Sequence, residues 1–209
     1  MDENMEKKIE KINKIEDKRN EKPLINVHYK RILLSAAMAV ILLKLLSCFF
    51  SVHVILSNSM TPTLGRHDST ICKDFVRTTD EEKLANIKRG DIISFESVVP
   101  NENRRMMKRV IGLPGEHIVV KEGKTYINGK TLKEDYLTVK MNNKRDGEWT
   151  IPENTYFVMG DNRNASCDSR EWENPFVPVS KINSKLVFNI PFSKIVGTGG
   201  NNDEHIKFY

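Results

Sequence analysis

From Ile32 to Leu56 the chain reads ILLSAAMAVILLKLLSCFFSVHVIL, an apolar run broken by one formal charge, Lys44. At about 1.5 Å rise per residue such a run, if helical, exceeds the roughly 30 Å hydrocarbon core of a bilayer. A cleaved secretory signal would carry a shorter apolar stretch, roughly 7 to 15 residues, and a small-residue exit near the N-terminus. This run starts late and continues into a polar segment, so it predicts a retained transmembrane anchor over residues 32–56. A lysine within a span can snorkel or find a partner, which accommodates Lys44. Lys30 and Arg31 abut the near end, whereas Ser57 to Gly65 carry no charge. The bias of basic residues toward the cytoplasm then sets the N-terminus inside and everything beyond residue 57 outside.

On either side of this run the pattern changes. Residues 1–31 hold nine Lys or Arg and seven Asp or Glu with few apolar residues, a cytoplasmic charged tail that forms a solvated helix or stays disordered. Residues 57–209 read as one extracytoplasmic domain of short strands. Asp91 to Phe95 is apolar after Gly90. Ile118 to Val120 reaches Glu122-Gly123, and Thr125 to Ile127 runs into Asn128-Gly129, a dipeptide favoured in tight hairpin turns. Thr155 to Met159 is a β-branched and aromatic run closed by Gly160, and Lys185 to Ile190 adds a later one. No long segment of helical period competes after the anchor, so the fold class is mainly β behind an N-terminal transmembrane helix.

Composition alone would have hidden this order. The 209 residues include 33 Lys plus Arg and 28 Asp plus Glu, a net charge of +5, and a mean hydropathy of −0.46 describes a soluble protein. That mean averages the polar tail with the apolar run. Three cysteines, at 48, 72 and 167, are odd in number and match no metal-ligand spacing, which argues against a disulfide scaffold and a zinc module. Interspersed acidic residues leave no basic stripe for nucleic acid.

Three segments carry candidate chemistry. Ser57-Asn58-Ser59-Met60-Thr61-Pro62-Thr63-Leu64 follows the anchor, and a serine hydroxyl is a weak nucleophile until a base takes its proton. In Arg104 to Glu116, Lys108 stands between Met106, Met107 and Val110, Ile111. Period-two alternation sets it on one strand face with Met106 and Val110. Burial there disfavours the ammonium and can lower a pKa that is ordinarily near 10.4 by several units, making the amine a usable base. In Gly160-Asp161-Asn162-Arg163-Asn164-Ala165-Ser166-Cys167-Asp168-Ser169-Arg170, the interleaved arginines argue against a calcium cage, which needs six to eight oxygen ligands. Short polar side chains mixed with Asp and Arg suit a rigid scaffold beside a site.

Together these segments resemble bacterial type I signal peptidase of the Gram-positive type, a membrane-anchored serine protease family. The resemblance rests on S-x-S-M-x-P-T-L at 57–64, G-D-I-I at 90–93, K-R-V-I-G-L-P-G-E at 108–116 and G-D-N-R-x-x-S-x-D-S-R at 160–170. It implies an all-β domain of the kind shared with self-cleaving repressor proteases. It also implies Ser59 as nucleophile, Lys108 as general base, and the Ser57 hydroxyl with the Ser59 N–H as oxyanion hole. Ser166 would hydrogen-bond the Lys108 amine, and the pairs Asp168 with Arg170 and Asp161 with Arg109 would brace the loop. No metal or organic cofactor is implied. The implied partners are secreted preproteins with signal peptides and the lipid bilayer, with no nucleic acid and a monomeric enzyme. Small residues such as Ala are implied at the first and third positions before the cut.

Asn164-Ala165 departs from the Asp-Asn often found there, and Cys167 occupies a position that varies in the family and receives no role. A repressor-like protease would share the Ser-Lys chemistry but lacks a span and needs a DNA-binding module that the polar tail does not supply. A specialised or non-catalytic signal-peptidase-like protein that assists surface-fibre assembly is the alternative. Loss of the serine or lysine would mark the non-catalytic form, and both are present.

Overall fold

The computed structural model describes residues 3–20 and 24–192. The rest of the expected tail, and residues 193–209 of the expected catalytic domain, lie outside the described residues. The chain divides into two units, Met1–Ser47 and Cys48–Tyr209.

The first unit holds two helices, α1 (Glu3–Asn20) and α2 (Leu24–Ser47). Met5, Ile9, Ile12 and Ile15 of α1 are exposed, as are the apolar residues of α2 from Ile32 to Leu46. Here the expected single helix over 32–56 is corrected. It ends at Ser47, and Phe50–Val54 forms strand β1 of the second unit. Among the described residues no helix is long and apolar enough to cross a membrane. The cause of the break is visible in the residues. Phe49, Phe50, Val52 and Val54 are aromatic or β-branched and favour strand, and Ser51 and His53 alternate with them.

The second unit is mainly β. Its strands are β1, β2 (Ser69–Asp74), β3 (Ile92–Glu96), β4 (Arg105–Gly112), β5 (His117–Lys121), β6 (Lys124–Ile127), β7 (Lys130–Thr131), β8 (Gly147–Thr150), β9 (Thr155–Met159), β10 (Phe176–Pro178) and β11 (Ile182–Ile190). Seven form one antiparallel sheet in the order β1-β2-β11-β3-β4-β9-β10, and four form another in the order β7-β6-β5-β8. The β5–β6 hairpin turns at Glu122-Gly123. At the next turn Asn128 and Gly129 have φ of 49° and 78°, the left-handed pair that a two-residue turn demands.

Between the sheets, Ile111, Phe157 and Met159 meet Ile118, Val120 and Ile127. On the other side of the large sheet, Ile93, Phe95, Val110, Tyr156 and Val158 form a second cluster with Trp172 and Ile182. Because β3, β4 and β9 lie in mid-sheet and bury both faces, they read as apolar runs rather than alternating ones. One short helix, α3 (Asp80–Asn86), interrupts the β order. Thr79 and Glu82 form a capping box at its start, each side chain bonded to the other's backbone N–H.

Candidate active site

The segment that follows β1 is pinned by what it buries. Met60 and Leu64 are 1% and 0% exposed and join Ile55, Cys72, Ile92 and Leu186 in a third apolar cluster. Their burial on either side of a polar turn leaves Ser59 half-buried and facing a groove of about 460 Å³. The Ser59 carbonyl accepts from the Asn162 N–H at 3.0 Å, and the Asn58 carbonyl accepts from the Asn162 side chain at 3.2 Å. The peptide bond between Thr61 and Pro62 is cis.

Strand β4 brings Lys108 to this serine. Lys108 pairs in register with Ile93 of β3, is 5% exposed, and has its Nζ 2.7 Å from Ser59 Oγ. Burial holds its pKa below the ordinary lysine value, aided by the charges of Arg104 and Arg170, while Asp168 and Cys167 pull the other way. Ser57 Oγ stands 3.2 Å from Ser59 Oγ. A neutral amine beside one hydroxyl, with a second hydroxyl adjacent, can take a proton and then hold a developing oxyanion.

The loop from Gly160 to Arg170 forms the back wall. Arg170 grips Asp168 with two parallel bonds of 2.8 Å, and Asp168 also accepts from the Gly160 N–H at 2.9 Å. Burial alone would raise the Asp168 carboxyl, but these bonds and the Arg170 charge hold it below its ordinary value, so the pair stays ionised. Arg109, next to Lys108 on β4, grips Asp161 at 2.8 and 2.6 Å and donates to the Gly90 carbonyl at 2.7 Å. Both partners are nearly fully buried.

Of the residues singled out in the sequence, Ser57, Ser59 and Lys108 meet at the groove, and the two Asp-Arg pairs lie in the wall behind it. Ser166 differs from expectation. Its Oγ is fully buried and makes no hydrogen bond to the Lys108 amine. It helps favour the charged Asp168 carboxyl instead, at a geometry looser than a formed hydrogen bond.

Four contributors escaped sequence reasoning. Thr63 donates to Asp161, and Asn162 clamps the Ser59 carbonyl. Glu134 pairs with buried Arg163, and the Tyr136 ring lies 4.1 Å under the Arg109 guanidinium. Thr63 and Asn162 fall inside the recognisable motifs, so their neighbourhood was a signal. Glu134 and Tyr136 sit in a polar connection and carried none. Among the described residues no group of three or more His, Cys, Asp or Glu is placed to hold a metal ion.

Known proteins share this arrangement's sequence. The family profile described as "Signal peptidase, peptidase S26" matches residues 28–190. Signal peptidase I of Bacillus amyloliquefaciens is 37% identical over 79% of this chain and 88% of its own length. Signal peptidase I S of Bacillus subtilis (strain 168) is 35% identical over 69% of this chain and 82% of its own. A crystal structure of a signal peptidase I from Enterococcus faecalis V583 is 39% identical, covers 46% of this chain and 92% of that one, and has a TM-score of 0.40.

Proposed function

Because the chain belongs to the signal peptidase family, peptidase S26, and is therefore a serine endopeptidase of the type that removes signal peptides, we propose that it cuts with a Ser59–Lys108 dyad. The observation that carries the reading is the 2.7 Å separation of Lys108 Nζ from Ser59 Oγ in a site where burial favours the neutral amine. In the resting state the Ser59 hydroxyl donates to the amine lone pair. As Oγ attacks the scissile carbonyl, Lys108 takes the proton. The Ser57 hydroxyl and the Ser59 N–H receive the oxyanion, and Lys108 returns the proton to the leaving amine. Lys108 then deprotonates a water, which attacks the acyl-enzyme ester and releases Ser59. The buried pairs Asp168–Arg170 and Asp161–Arg109 and the Ser166 hydroxyl position the loop behind the base.

The substrate on this reading is a secreted preprotein whose cleavage site enters the groove extended, with small side chains at the first and third positions before the cut. We further infer a single-pass membrane protein with residues 1–31 in the cytoplasm, an anchor beginning at residue 32, and the β unit outside. From residue 32 to Ser47 α2 supplies 16 residues, about 24 Å of the roughly 30 Å of hydrocarbon, and Cys48 to Leu56 continue the apolar run. Lys30, Arg31 and Lys44 bracket its most apolar part and can snorkel to either interface. The face of β1 bearing Val52 and Val54, with Leu56 beyond it, is exposed and apolar, which suits contact with a bilayer.

The test is cleavage of a preprotein by the detergent-solubilised chain and by its Ser59→Ala and Lys108→Ala variants, with N-terminal sequencing of the product. One cut after a small residue, lost in both folded variants, is expected. Cleavage that survives either substitution would overturn the dyad, and a folded wild type that cuts nothing would favour the fibre-assembly alternative.

A further inference from the structure

Among the described residues, the groove's lining holds basic side chains and no acidic one. The basic ones are His53, Arg104, Arg105 and Lys108. Lys108 is the proposed neutral base, and Arg104 is already held by Glu102 at 2.8 and 3.1 Å. Arg105 is different. It is exposed, and among the described residues its guanidinium makes no hydrogen bond or ion pair. It opens β4 three residues before Lys108, about 10 Å along a strand. Alternation turns Arg105 to the face of β4 opposite Lys108, yet both line the groove, and a substrate lying extended there has the same rise, so Arg105 stands about three residues from the scissile bond.

His53, a second lining residue, adds a polar group to the groove. Ser51 Oγ donates its single proton to Asp74, so the 2.8 Å contact between Ser51 and His53 Nε2 has the ring nitrogen as donor. Nδ1 is then the remaining polar atom of the imidazole. Burial and the Arg105 charge hold His53 below its ordinary pKa, against the opposing pull of Asp74, so His53 feels Arg105 within the groove. A carboxylate entering there would meet the Arg105 guanidinium beside an uncharged imidazole; the acid opposite Arg105 in register, Glu96 of β3, forms no ion pair with it.

We propose that the Arg105 and His53 wall is a specificity element, which selects preproteins carrying an Asp or Glu side chain within about three residues of the scissile bond, the carboxylate being taken by Arg105. The inference rests on the signal-peptidase reading of the groove and adds a charge requirement to it.

The test uses the full-length chain in detergent and one preprotein whose residues flanking the cut are neutral, with Asp, Asn or Lys introduced singly at each flanking position. At one position Asp is expected to exceed Asn in kcat/KM by about fivefold, the scale of one solvent-accessible ion pair, with the difference in KM. Lys should be worse than Asn there, and added salt should flatten the preference. Arg105→Glu should reverse the order at that position, and Arg105→Lys should keep it.

Cleavage of the neutral parent with no charge preference, or an Arg105→Glu variant that slows all substrates equally, would overturn the inference and leave the protease reading intact. Failure to cut the neutral parent would overturn both. Loss of binding to phosphatidylglycerol vesicles in Arg105→Glu, with substrate preference unmoved, would assign the guanidinium to lipid and overturn the inference as well.

Discussion

A Cβ built on Gly160 would stand 2.4 Å from the carbonyl oxygen of Ser59 and 2.2 Å from Ser166 Oγ. The loop that carries Asp161 therefore touches the backbone of Ser59, the proposed nucleophile, and only a glycine allows that approach. Gly160→Ala must push Ser59 away from Lys108 or displace Ser166. A shift near 1 Å at a reacting centre costs about 100-fold, so kcat of Gly160→Ala should fall by about that factor or more. Assay of the soluble, folded variant checks it.

Ser57 offers a hydroxyl 3.2 Å from Ser59 Oγ. As the proposed oxyanion donor it would act on the transition state more than on bound substrate. Ser57→Ala should lower kcat by about 100-fold with KM little changed, and Ser57→Thr, which keeps the hydroxyl, should lose less. Steady-state kinetics on one preprotein separates the two parameters. An equal loss in both variants would point to packing rather than to the hydroxyl.

The Arg109–Asp161 pair is fork to fork and buried on both sides. Removing one partner leaves an uncompensated charge, so Asp161→Asn should destabilise the β unit by about 3–5 kcal/mol. Thr63 loses an ionised acceptor at the same time. Denaturant unfolding measures the loss, and adding Arg109→Met should recover a large part of it, because the stranded cation is then gone.

Lys108 carries the opposite sign. Burial lowers its folded pKa, so between that value and the ordinary 10.5 the unfolded chain binds more protons and stability rises with pH. The penalty is complete below the lowered pKa and vanishes as pH climbs through 10.5. Lys108→Met should therefore raise Tm by a few degrees at neutral pH, while abolishing cleavage. Thermal melts of both proteins across pH should converge at the alkaline end.

Much of the fold was legible because its signals are local. Asn128-Gly129 names its own turn, and the apolar runs Asp91 to Phe95 and Thr155 to Met159 became β3 and β9. Helix α3 was also written locally, in Thr79-Asp80-Glu81-Glu82, but a capping box before a seven-residue helix is a faint signal beside so many strands. Where the apolar run changes from helix to strand was not legible in hydropathy. An exposed apolar helix and an exposed strand edge have the same composition, and only the cluster of aromatic and β-branched residues after Ser47 separates them. In the site, Ser57, Ser59 and Lys108 could be found from residue chemistry and motif together. Glu134 and Tyr136 could not, because their meeting with Arg163 and Arg109 depends on how the smaller sheet folds over the larger. Ser166 shows a further limit, since a motif carries a residue's identity without fixing which neighbour its hydroxyl meets.

The central claim is that Lys108 works uncharged against Ser59, and its ionisation can be read directly. Lysine with 13C at Cε reports the amine by NMR, and the Lys108 signal, identified by its loss in Lys108→Met, can be titrated beside the pH dependence of kcat/KM. The account predicts that kcat/KM rises with pH on a limb set by a pKa below the ordinary lysine value, and that the Lys108 signal titrates on the same limb. A Lys108 that titrates near 10.5 while the enzyme already works fully at neutral pH would contradict it.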